Sequence, residues 1–113
     1  MMVTRVSAIA FALLLVCASA AQAQPPRVLV FHPDPANNPE IAAGISTTKE
    51  LGKTNGFQVA TTRNATDFTG STLARYRAVV FLNTPGNRLN GEQRGALDDF
   101  LRAGNGFVGI GRT

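Results

Sequence analysis

Two five-residue runs, Arg27-Val-Leu-Val-Phe31 and Ala78-Val-Val-Phe-Leu82, are apolar at almost every position. A strand with one wet face alternates apolar and polar residues. A continuous β-branched and aromatic run therefore belongs to a strand buried on both faces, the habit of a parallel sheet covered by helices. Gly106-Phe-Val-Gly-Ile110 reads as a further strand, and Phe57-Gln-Val-Ala60 alternates as a strand near the sheet edge does.

Helical signals separate these runs. Pro39-Glu40 opens one helix, with proline at a favoured first-turn position and glutamate at the positive end of the dipole; Ile41, Ile45 and Leu51 supply its apolar positions. Asn55-Gly56 closes it with a left-handed cap. Asn90 with Gln93 is a capping signature, and Leu89, Leu97, Phe100 and Leu101 form a stripe that ends at Arg102 and Gly104. Asn64 to Thr72 is too rich in Thr, Asp and Gly to predict regular structure, and a short helical turn is expected around Leu73 to Tyr76. The order β-α-β-(α)-β-α-β predicts a parallel sheet with right-handed crossovers.

The first residues are excluded from this fold. Met1 to Arg5 carries a positive charge, Val6 to Val16 is apolar, and Ala21-Gln22-Ala23 is a small-x-small cleavage site, so residues 1–23 read as a secretory signal peptide. The apolar run is shorter than the roughly 20 residues a spanning helix needs. The expected product is secreted, extracellular or periplasmic, beginning at Gln24, with no membrane segment after cleavage. Cys17, the sole cysteine, falls in the leader; Val16 before it argues against a lipid-attachment box. The mature chain is thus left without a thiol for a disulfide, a metal or nucleophilic catalysis.

Residues 24–113 carry ten Lys and Arg (the chain's eleven less Arg5) against seven Asp and Glu. The arginines are scattered without a run, which argues against nucleic acid as a partner.

In open parallel sheets ligands sit beyond the carboxyl ends of the strands where the winding direction reverses, here between the first and third strands of a 2-1-3-4 order. Two loops meet there, His32-Pro-Asp-Pro-Ala-Asn-Asn-Pro39 and Asn83-Thr-Pro-Gly-Asn87, with Gly111-Arg112-Thr113 arriving nearby. His32 could act as acid, base or metal ligand, or be a loop residue bonded to backbone. Asp34 and Glu40 could join it around a cation, or could shape an Asx turn and complement the helix dipole. Asn83 and Thr84 could bond a polyol, or simply serve the turn. Arg112 could pair with an anion or be frayed. The first loop holds no glycine, so it cannot wrap phosphates as a dinucleotide or P-loop does; no GxSxG elbow is present, and Asn64-Ala-Thr66 matches a glycosylation acceptor. The tentative ligand-binding set is His32, Asp34, Asn83 and Thr84, with no resident metal or cofactor expected.

Taken in order, Arg27 to Phe31, Ile41-Ala-Ala-Gly-Ile45, Leu51-Gly52, Asn55-Gly-Phe57, Tyr76 with Ala78 to Thr84, and Arg102-Ala-Gly-Asn-Gly-Phe-Val-Gly-Ile110 resemble the trehalose-utilisation, or ThuA-like, domain. The resemblance runs from Arg27 to Ile110 and matches the amino-terminal part of that domain. It implies a flavodoxin-like three-layer sandwich similar to class I glutamine amidotransferases and a setting in carbohydrate metabolism. The family commonly has an Arg-His pair soon after the first strand and a His after the GFVGI strand, where this chain has His32-Pro33 and Gly111. The expectation is a domain truncated after its fourth strand, without complete catalytic machinery and with no cysteine or serine nucleophile. A carbohydrate is its expected ligand. The alternative is an interaction module that pairs with a protein partner through the open edge of that strand.

Overall fold

The computed structural model describes residues 24–85 and 87–112. The expected leader, residues 1–23 with Cys17, lies outside the described residues, as do Gly86 and Thr113.

Each apolar run becomes a five-residue strand: β1 Arg27–Phe31, β3 Ala78–Leu82 and β4 Gly106–Ile110, joined by β2 at Gln58–Thr62. All pairings are parallel and the order is β2-β1-β3-β4. The fold is α/β and flavodoxin-like, with its winding reversal between β1 and β3 as expected.

Because alternate residues of a strand face opposite sides, β1 and β3 each feed two cores. Leu29, Phe31, Val79 and Phe81 meet Leu73, Tyr76, Leu89 and Phe100 on one side. Val30, Val80 and Leu82 meet Ile41 on the other, beneath the helix α1, Pro39–Asn55. The first core is aromatic: Phe31, Phe68 and Phe81 stack edge-to-face in a triangle with ring centres 4.9 to 5.7 Å apart. Edge-on packing sets the positive rim of one ring on the negative face of the next.

The caps form as the sequence dictates. Asn38 accepts from the Glu40 N–H at α1's start, and Gly56 closes it at φ 79°. The helix α3, Gly91–Arg102, carries the full reciprocal capping box between Asn90 and Gln93.

Three expectations are corrected. The stretch 64–72 is structured: a 3-10 turn at Ala65–Asp67 and the short helix α2 at Gly70–Leu73, whose end runs into the helical turn expected around Leu73 to Tyr76. The polar residues that argued against order supply its hydrogen bonds, Thr62 Oγ1 donating to Asp67 and Thr69 Oγ1 accepting from the Thr72 N–H. Leu51 is 51% exposed, and the buried stripe of α1 continues through Thr48 and Gly52 instead. Leu101 is likewise exposed at the end of α3.

The fourth strand is different in kind. Every residue of β4 is exposed, including Phe107 at 43%, Val108 at 49% and Ile110 at 41%. Among the described residues only one edge of it is paired, against β3.

Candidate functional site

At the carboxyl ends of β1, β3 and β4 the three strand tips are tied together by side chains. Asn83, directly after β3, sits at φ 48°, a left-handed conformation that asparagine tolerates better than most residues. Its Nδ2 donates to Glu40 Oε2 at 3.0 Å, and its Oδ1 accepts from the Arg112 N–H at 3.3 Å. Its own N–H donates to Ile110 O at 2.9 Å. One residue thus joins the start of α1, the tip of β3 and the exit of β4. Gly111 makes the approach possible: at φ 78°, a Cβ there would stand 1.8 Å from Asn83 Oδ1.

Beside Asn83 opens a cleft of about 560 Å³, lined by Asp34, Asn38, Glu40, Asn83, Arg88 and Arg112, with Pro39 and Pro85 between them. The walls carry two carboxylates and two guanidinium groups, so their formal charges cancel. The amides of Asn38 and Asn83 complete a rim of mixed donors and acceptors. No hydroxyl, thiol or imidazole is among the described lining residues.

The four residues singled out in the sequence divide. Asp34 and Asn83 line the cleft. His32 and Thr84 lie beneath it, 4% and 1% exposed. The His32 ring bonds through Nδ1 to Asp34 O at 3.0 Å, and its backbone N–H donates to Thr62 O. Thr84 Oγ1 lies 3.4 Å from Phe31 O and 3.2 Å from Leu82 O, bridging the tips of β1 and β3. Both side chains meet backbone carbonyl oxygens, His32 within its own loop and Thr84 across two strand tips and not within the turn. The loop after β1 is clamped from outside by Arg63, whose Nε and Nη2 both donate to Pro33 O, at 3.3 and 3.2 Å.

Glu40 serves Asn83 as well as the helix dipole. Arg112, for which fraying was the alternative, is held by its N–H at Asn83 and reaches the cleft. Asn38 and Arg88 were missed; both lie in or just after the loops the topology points to, and that adjacency was the available signal. No group of three or more His, Cys, Asp or Glu is placed to share a metal ion among the described residues.

A parallel sheet in the order 2-1-3-4 with a polar crevice at its winding reversal defines a flavodoxin-like α/β domain. The ThuA family model, described as trehalose utilisation, matches residues 27–112, and the chain belongs to that family. A crystal structure of a protein described as ThuA-like, from Bacteroides uniformis, superposes with a TM-score of 0.63 at 23% sequence identity. The match covers 80% of this chain and 38% of that one, so the chain spans well under half the length of that neighbour. No curated protein matches.

Proposed function

We propose that the chain is a secreted ThuA-family module of carbohydrate metabolism that holds a neutral polyol, a sugar of the trehalose type, in the crevice between β1 and β3. The observation that carries this reading is the charge-balanced wall. Two carboxylates and two guanidinium groups around two amides offer hydrogen bonds of both senses, which suits a ring of hydroxyls better than an anion or a cation. Asp34 and Asn83 touch the ligand, with Glu40, Arg88 and Arg112 around it. His32 and Thr84 hold the two strand tips at the right separation beneath.

The family's description points to the same substrate class. By itself the crevice presents a binding surface without a hydroxyl or thiol nucleophile. Titrating trehalose and glucose into labelled protein, with amide shifts followed at Asp34, Asn83 and Arg88, tests the proposal. Saturable shifts confined to these loops are expected; none at millimolar sugar would remove it.

A second reading rests on β4, whose outer edge and both faces are exposed. There, another polypeptide would add a strand alongside β4. Light scattering across a concentration series checks it, and a monomer at all concentrations, with no partner captured by β4, contradicts it.

A further inference from the structure

The opposite end of the sheet, where the strands begin, is charged in a way the crevice is not. A hollow of about 320 Å³ is lined by Pro25, Pro26, Arg27, Arg75, Tyr76 and Arg77. A second, of about 420 Å³, is lined by Arg27, Lys49, Lys53 and Phe57. Arg27 belongs to both, its guanidinium held 5.2 Å from the centre of the Tyr76 ring, so the hollows form one continuous base. Five of the ten described Lys and Arg line these hollows, and none of the seven Asp and Glu does. Lys49, Lys53, Arg75 and Arg77 are exposed. Outside the hollows, Glu50 follows Lys49 on α1, and Asp98 and Asp99 stand near the end of α3, where Asp98 is paired with Arg102 at 3.0 Å.

We propose that this base is a docking surface for an anionic phospholipid bilayer and holds the crevice facing away from the membrane. One observation selects lipid headgroups over a polymeric polyanion: the aromatic rings among the cations, Tyr76 and Phe57, are buried or half-buried, so the described residues offer no stacking track for a polymer strand. Near a headgroup surface each lysine or arginine adds attraction that salt screens. The strands, about 17 Å long, carry the crevice to the far side. This surface is independent of the polyol reading, and either can fail alone.

The test is sedimentation of the chain from Gln24 onward, the product expected after leader cleavage, with vesicles of phosphatidylcholine alone or of equimolar phosphatidylcholine and phosphatidylglycerol. Without the leader and its Arg5, the difference between vesicle types reports the base. Tighter binding to the mixed vesicles is expected, weakened roughly thirtyfold by Lys49→Gln with Lys53→Gln, as two lost surface charges imply. The pair Arg63→Gln and Arg94→Gln, equal in charge but at the other end, leaves it unchanged. Arg75→Gln with Arg77→Gln stands in should circular dichroism show the first pair unfolded. Equal binding to both vesicle types, equal loss in base and control variants, or capture by dextran sulfate with no vesicle binding would each overturn the proposal.

Discussion

Asn83 carries two separable loads, and two substitutions divide them. Asn83→Ala removes the bonds to Glu40 and Arg112 and places a Cβ-bearing residue without asparagine's tolerance at φ 48°. A left-handed residue costs about 1–2 kcal/mol, of which asparagine escapes a part. Two hydrogen bonds at a half-exposed position contribute about 1 kcal/mol together after discount for water. The alanine variant should lose about 2 kcal/mol. Asn83→Gly loses the same bonds but none of the backbone ease, so it should be the more stable of the two by about 1 kcal/mol, the reverse of their order in a helix. With an m-value near 1 kcal/mol/M for a domain this small, the urea midpoints followed by circular dichroism should differ by about 1 M. Alanine equal to or better than glycine would refute the left-handed tip. Wild-type stability in both would show that the side-chain bonds contribute nothing.

Gly52→Ala puts a Cβ 2.5 Å from the Phe57 carbonyl oxygen, where backbone must shift. Overpacking of about 1–3 kcal/mol outweighs the gain of up to about 1 kcal/mol in helix propensity, so thermal melting should show a net loss; a stabilised variant would mean that α1 and β2 are not in close approach. Thr84→Val keeps the shape and removes the donor near Phe31 O and Leu82 O, which should lower the melting temperature by roughly 4–8 °C for about 1 kcal/mol. The same variant should leave sugar-induced shifts at Asp34 in place, and their loss would make Thr84 a ligand contact instead of a support.

The central strands and α3 could be read directly because their signals are strong and local: continuous apolar runs for β1 and β3, a reciprocal Asn90–Gln93 box for α3. What escaped reading was packing distance. Hydropathy marked Leu51 on α1 for burial, yet the sequence of inward positions is Ile41, Ile45, Thr48 and Gly52, and a glycine has no side chain to register as apolar. Gly44 acts alike, since a Cβ there would stand 2.7 Å from Leu82, so the bare backbone lets α1 settle onto the sheet. The crevice repeats the lesson at smaller scale. The topology pointed to its loops, to Asp34 and Asn83 and to the arriving Arg112, but not to Arg88, and Arg112 is held at Asn83 only because Gly111 admits the amide. Glycine at 44, 52 and 111 fixes how near elements come, and nearness decides which polar groups share a wall. A pattern of apolar and polar letters specifies what must be covered; the positions without side chains specify where the cover closes, and the site is a consequence of the second.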